Sequence, residues 1–408
     1  MKVLNIFGRI IIGLVFIFSG TVKAIDPLGS AYKFHDYFQA FHMNYLQFLA
    51  LPLAILLCTA EFISGFAILT GYRQKAGIRG VIILMLIFTP LTFILALTNP
   101  VSDCGCFGDA IHLTNWQTFG KNIVLLFFAI VLFTGRKQVK KLFEKQIEWR
   151  IISFMAVLFV VFLTLNLRYL PLVDFLPYKA GINIPENMVI PENKPVDKYE
   201  TSFIYEKAGL KKEFTIENYP AGDSTWKFVN QKSVLVSKGY QPPIHDFIIT
   251  SPENEEITEK ILNNDGYTLL MISKKLKDAD PGKLKKGFDL GFQCIANKID
   301  FYILTASGTD EVKEVNNGLM FCSADETTLK TIVRANPGYL LLKGGTIVGK
   351  WSWANVPGKE WFAGDISGKQ IEQLKNKENI LTVITIVLSV IILLLLISKY
   401  YHIKTIKE

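Results

Sequence analysis

Cysteine is scarce in this chain, with five in 408 residues. That is too few for a disulfide framework, so each thiol has to be judged by its position. Nowhere do two cysteines stand at Cys-x-x-Cys spacing. Charged residues are also few, at 20%, against 50% hydrophobic residues and 30 phenylalanines. With a mean hydropathy of +0.30, the chain is too apolar for an ordinary soluble protein and falls in the membrane class. The net charge of +8 does not argue for a nucleic-acid partner. Much of the basic excess lies in short loops flanking apolar runs, where lysine and arginine set topology.

A bilayer core about 30 Å thick needs roughly 20 mostly apolar residues in helix. Segments at about 4–24, 49–70, 78–98, 117–135, 149–170 and 379–399 meet that requirement. The first resembles a secretory signal, but Lys23 and Asp26 follow it without a small-x-small cleavage site, so an uncleaved helix is expected. Arg73, Lys75 and Arg79 place the second connection inside, and Arg136, Lys137, Lys140, Lys141, Lys145 and Arg150 place the fourth inside. An even number of crossings then puts both termini in the cytoplasm and residues 171–378 outside it. The lipid bilayer is the first partner implied, and a multi-pass plasma (inner) membrane protein is the expected localisation.

Lysine and arginine are absent from "NPVSDCGCFGDAIHLTNWQ", residues 99–117, which carries Asp103 and Asp109 and therefore faces outside. It sets Cys104 and Cys106 one glycine apart in an oxidising compartment, where disulfides persist. A bond between them would close a very small, strained ring, and strained accessible disulfides tend to exchange. Gly105 permits the tight turn that bonding or joint metal ligation would need. Three readings follow for the pair: redox exchange, transient metal binding with His112, or an inert pair.

Within the second span, "CTAEFISGFAILTGY" holds Glu61. An ionisable group at that depth faces a bundle interior, a cavity or a partner charge. Lys23 at the outer end of the first span is the candidate partner. The alternative is a Lys23 that snorkels to the headgroups and a Glu61 that makes a structural hydrogen bond. Cys58, one turn from Glu61, reads as a small buried hydrophobe. Pro90 reads as a helix kink and Asn122 as an interhelical hydrogen-bond donor.

The pieces "GRIIIGLVFIFSGTVKAIDP", "AEFISGFAILTGYRQKAG", "CGCFGD" and "WQTFGKNIVLL" resemble the DoxX and MauE group of small four-helix membrane proteins. Of these, "CGCFG" before an Asn-bearing helix is closest to MauE. The resemblance implies a link to methylamine utilisation and to disulfide formation in a partner subunit. It is also similar in layout to membrane thiol oxidases that present cysteines beside a quinone, which makes a quinone the possible cofactor. Those oxidases carry a Cys-x-x-Cys pair that this chain lacks.

The outer region begins with "RYLPLVDFLPYKAGINIPENMVIPENKP", rich in proline and asparagine, which reads as an extended linker along the membrane surface. Alternating runs at about 198–240 suggest a small β subdomain. From about 243 to 375, strands and helices alternate and close on "ANPGYLLLKGGTIVGKW", which resembles the thioredoxin-like fold. Asn336-Pro337 stands where that fold places a cis-proline. The position of its Cys-x-x-Cys reads "SKKLKDADPGK", so the usual exchange route is missing. The domain is expected to hold an extended partner by strand addition instead. Cys294 and Cys322 read as core residues, and His245 as a loop hydrogen-bond partner. The cluster "GKWSWANVPGKEWF" suits either the membrane interface or packing on the domain core.

The expected fold is an α-helical membrane protein with an extracytoplasmic α/β thioredoxin-like domain. Residues 1–135 form a DoxX/MauE-like four-helix bundle, and 136–170 a basic loop and fifth helix. Residues 171–242 form a linker and β subdomain, 243–375 the thioredoxin-like domain, 379–399 a sixth helix and 400–408 a cytoplasmic tail. Cys104, Cys106 and Glu61 are the expected catalytic residues of a thiol–disulfide redox component with an extracytoplasmic protein partner. A noncatalytic envelope scaffold and thiolate metal handling are the alternatives.

Overall fold

The computed structural model of the chain describes residues 2–101, 103–135, 145–364, 366, 368 and 369. The expected crossing at 379–399 and the tail at 400–408 lie outside these residues. Helices α1 (Lys2–Ile25), α3 (Ala50–Thr70), α4 (Gln74–Thr98), α5 (Asn115–Gly135) and α6 (Lys145–Tyr169) come from the apolar runs of the sequence. All five are long and apolar enough to cross a membrane. Large apolar side chains such as Leu14, Leu86, Phe127 and Val157 remain exposed on their outer faces. Lipid tails satisfy such a surface, so bundle association must come from close packing.

That packing is closest between α1 and α3. A Cβ added at Gly20 would stand 2.7 Å from the backbone nitrogen of Phe62 and 2.8 Å from the Cys58 carbonyl. One added at Gly65 would stand 2.8 Å from the backbone nitrogen of Ile17. Backbone, not flexible side chain, fills the space, so the two helices meet only because glycine stands at both contacts.

Helix α2 (Pro27–Ala40) has no counterpart among the elements read from sequence. It forms because Asp26 caps it, accepting from the Gly29 N–H at 2.8 Å, and Pro27 occupies its first turn. A 3-10 turn at Asn44–Leu49 leads from α2 into α3.

Beyond α6, α7 (Ile184–Met188) is followed by β1 (Lys198–Lys207), β2 (Leu210–Thr215) and β3 (Lys227–Ser237). These strands form an antiparallel sheet of order β2-β1-β3. Next come α8 (Thr258–Leu262), β4 (Tyr267–Ile272), α9 (Pro281–Ala296), β5 (Asp300–Thr305), α10 (Thr309–Val315) and β6 (Phe321–Ser323). The series ends with α11 (Glu326–Ile332), β7 (Gly338–Lys343) and β8 (Thr346–Ser352).

The second sheet runs β6-β5-β4-β7-β8. Strands β4, β5 and β6 are parallel, and β7 and β8 antiparallel to their neighbours. The Asn336–Pro337 peptide ahead of β7 is cis. Each face of the sheet has its own apolar core, one holding Cys322 and the other Cys294. The sheet separates the two thiols, and both are packing residues.

Residues 178–188 are part of this domain rather than a free linker. Ile184 is fully buried in the Cys322 core together with Tyr178. The Ile184 N–H donates to the Gly345 carbonyl at 2.9 Å, and the Ile347 N–H to the Ile182 carbonyl at 2.8 Å. Trp351 and Phe362 bury in the Cys294 core, so the aromatic cluster packs on the domain. The domain joins the C-terminal end of α6, where Ser352 Oγ donates to the Arg168 carbonyl at 2.8 Å. Lys350 binds Asp174 at 2.6 Å in the connecting segment.

Gly65→Val should lower stability by roughly 1–3 kcal/mol, because overpacking forces the α1 and α3 backbones apart. Gly120→Ala, which meets nothing within 4 Å, should be neutral or slightly stabilising. Thermal unfolding of the detergent-solubilised protein measures both, and equal effects would contradict the packing argument.

Candidate functional site

The α1–α3 contact sets Lys23 of α1 beside Glu61 of α3. The Lys23 ammonium lies 2.7 Å from Glu61 Oε1 and 2.8 Å from Oε2, and both side chains are buried. Lys23 therefore does not snorkel to the headgroups. Taking two charges out of water costs several kcal/mol per ion, which such a contact offsets only with further hydrogen bonds. Ser19 supplies them. Its hydroxyl accepts from Lys23 at 3.1 Å and lies 2.8 Å from both Glu61 Oε2 and the Cys106 carbonyl. It can donate to only one of these oxygens at a time. The buried ion pair and the cysteine loop thus share a single hydroxyl.

The loop itself is tightly turned. Gly105 has φ +62, a left-handed conformation favoured by glycine, and its N–H donates to Asp103 Oδ1 at 2.8 Å. A Cβ at this position would also strike the Lys33 side chain at 2.8 Å. The Gly108 N–H returns to the Gly105 carbonyl at 3.0 Å. This turn brings Cys104 Sγ and Cys106 Sγ to 3.2 Å, a sulfur hydrogen bond between two free thiols.

Their environments push the two thiols in opposite directions. The hydrogen bond from Cys104 holds Cys106 down to about 6 against the opposing effect of burial, with help from the Lys121 and Lys23 ammoniums. The same hydrogen bond, followed by burial, pushes Cys104 well above the ordinary thiol range. The thiolate is the nucleophilic form, and of the two sulfurs Cys106 is the one whose surroundings favour it.

A cavity of about 80 Å³ opens beneath the loop. Apolar side chains such as Phe16, Met85, Phe88 and Leu125 line it together with polar ones that include Cys104, Cys106, Ser19, Glu61 and Lys121. Asn122 donates across to Thr92 of α4 at 3.1 Å, as an interhelical partner should. Among the described residues, no group of three or more His, Cys, Asp or Glu side chains is placed to hold a metal ion. His112 is exposed and lies 3.7 Å from Asp103.

The structure adds residues to the site that sequence reasoning missed. Tyr37 of α2 donates to the Cys104 carbonyl at 2.5 Å, and Lys33 binds Asp103 at 3.0 Å. From the outer domain, Arg334 binds Asp26 and Asp109, each at 2.7 Å. Lys274, in the segment "SKKLKDADPGK" between β4 and α9, donates to the Tyr32 hydroxyl of α2 at 2.6 Å. His245 is an exposed loop residue beside Asp246.

Residues 1–135 match the family model described as Methylamine utilisation protein MauE. The N-terminal part of the chain is a MauE-like membrane unit. Residues 199–238, the three-stranded sheet, match a model described as Domain of unknown function (DUF8463). No curated protein matches the chain, and no solved structure does. The MauE-like unit and the five apolar helices make the chain a multi-pass membrane protein in contact with lipid.

Burial and the neighbouring Arg334 push the Lys274 amine down to about 7, opposed by Asp26 and joined by Lys330, with Glu326 opposing. Between that value and its ordinary one, the unfolded chain binds the extra proton, so stability rises with pH across that window. Below about pH 7 the amine is charged in both states and the burial penalty is felt in full. The stability deficit of wild type relative to Lys274→Met should therefore shrink from pH 7 to 9.5. A parallel pH response of the two unfolding midpoints would contradict the assignment.

Proposed function

We propose that this chain carries out extracytoplasmic thiol–disulfide exchange, with Cys106 as the attacking thiolate and Cys104 as the resolving thiol. The observation that carries this reading is the 3.2 Å contact between two free sulfurs at the mouth of a membrane cavity. A Cys106 thiolate favoured by its partner's hydrogen bond is the second support. Cys106 attacks one sulfur of a partner disulfide and forms a mixed disulfide, releasing the other sulfur as a thiolate. Cys104 then loses its proton and attacks Cys106, and the partner leaves as a dithiol. Two electrons pass from the cysteine pair to the partner, and the loop ends as the Cys104–Cys106 disulfide. Run backwards, the same steps oxidise a partner dithiol. Relative reduction potentials set the direction.

Glu61 and Lys23 meet the loop through Ser19, and in this reading Glu61 takes up or releases the proton. A quinone is the cofactor class that the cavity favours. Phe16, Met85, Phe88 and Leu125 would contact its ring and Lys121 would donate to it. When bound, it would supply an acceptor for two electrons and two protons, which serves the direction in which the pair oxidises a partner dithiol and is itself reoxidised.

The outer domain belongs, in this reading, to the thioredoxin-like fold. The parallel β4–β5 pair linked through α9, with antiparallel β7 and β8 alongside, supports that assignment. Its extracytoplasmic placement is supported by the sequence alone, in which lysine and arginine concentrate at 73–79 and 136–150 and are absent from 99–117. The family description points to methylamine utilisation as the biological setting.

A Cys104→Ser variant should trap a mixed disulfide with an envelope protein in cells, visible on non-reducing gels and lost on adding reductant. Cys106→Ser should trap none. Equal trapping by both variants, or by neither, would overturn the assignment of roles.

A further inference from the structure

The cysteine loop is fixed from both sides. Lys33, Tyr37 and Ser19 of the membrane unit reach Asp103, the Cys104 carbonyl and the Cys106 carbonyl. The remaining hold comes from the outer domain: Arg334 Nη2 binds Asp109 Oδ2 at 2.7 Å, across 225 residues of sequence. The same guanidinium donates through Nε to Asp26 Oδ2 at 2.7 Å, across 308 residues.

We propose that Arg334 is a positioning residue through which the outer domain holds the Cys104–Cys106 pair in its reactive geometry. The proposal deepens the exchange reading and rests on Cys106 being the reactive thiol.

Burial and connectivity carry the argument. Arg334 is only 7% exposed, and of its guanidinium nitrogens Nε and Nη2 are given to the two carboxylates while Nη1 donates to the Lys330 carbonyl of its own domain. Its fork satisfies two carboxylates that a single-point ammonium cannot bridge in the same way. Asp26 caps α2, the helix that carries Lys33 and Tyr37, and follows α1, which carries Ser19 and Lys23. Asp109 lies just past Cys106, beyond the turn closed by the Gly108 N–H on the Gly105 carbonyl. One side chain therefore ties the scaffold of the loop to the loop itself.

Charge complementarity points the same way. Lys274 and Lys330 flank Arg334 on the domain, and all three basic groups lie over the ring of Tyr32, each at 5.2 Å. The region around Ser273 and Asn336, which are joined at 3.0 Å, adjoins this contact with α2. The occupant of this face is thus the chain's own membrane unit. A domain without reactive thiols of its own acts here on the thiols of another part of the chain.

If Asp109 is released, the limb after Cys106 is free to move and the sulfur–sulfur contact that favours the thiolate is lost. The test is the pH profile of Cys106 alkylation by iodoacetamide, read by peptide mass spectrometry on the full-length protein in detergent. The midpoint is the readout, because a looser loop also exposes the sulfur and alters the absolute rate. Arg334→Gln and Asp109→Asn should each raise it by roughly one pH unit, about tenfold in thiolate fraction at a fixed pH below the midpoint. Their combination should add little, since both remove one contact. Arg334→Lys should fall between wild type and Arg334→Gln, and Lys275→Gln, an exposed pair with Glu326 in the same domain, should leave the midpoint unchanged. Asp109→Asn retains the Arg334–Asp26 pair, so it decides the matter even if Arg334→Gln fails to fold. An unshifted midpoint in Asp109→Asn overturns the proposal. Failure of mixed-disulfide trapping would instead overturn the exchange reading, and this profile does not depend on that result.

Discussion

The charge contact between Lys23 and Glu61 inside the helix bundle is the constraint on which the rest of the site depends. Neither charge is tolerable at that depth alone, so α1 and α3 must approach until the two meet, and Gly20 and Gly65 permit that approach. Ser19 then carries the pair's hydrogen bonding to the Cys106 carbonyl. A requirement of membrane solvation thus becomes the anchor of a surface loop. Removing one member of such a pair typically costs about 3–5 kcal/mol, because the survivor is left buried and uncompensated.

What was legible in the sequence follows from locality. The five described crossings were legible because hydrocarbon demands long apolar runs, and Glu61 with Lys23 because an ionisable group in such a run needs a partner. Helix α2 was overlooked although Asp26-Pro27 is a start signal, because residues 27–40 mix aromatic, basic and acidic residues without a clear apolar stripe. Tyr178, Ile182 and Ile184 were hidden in a segment whose proline content reads as linker. Their burial depends on the β7–β8 hairpin, more than a hundred residues later in the chain.

Arg334 was illegible for the same reason. It ends a helical stretch that reads as ordinary amphipathic surface, and its partners lie hundreds of residues away. Asp109 was read only as a marker of sidedness, yet it pairs with Arg334. The missing Cys-x-x-Cys is similarly instructive. At that position stands Lys274, which binds Tyr32 of the membrane unit. A segment without thiols here makes a contact with another part of the same chain.

The account's central claim is that Cys104 and Cys106 change redox state together, on the side of the membrane opposite the basic loops. Differential labelling of intact cells with a membrane-impermeant thiol reagent, before and after reductant, tests it most directly. Both cysteines should gain label together after reduction, while Cys294 and Cys322 stay unlabelled until the protein is denatured. Labelling of the pair that is identical before and after reductant, or that appears only once the membrane is broken, would contradict it.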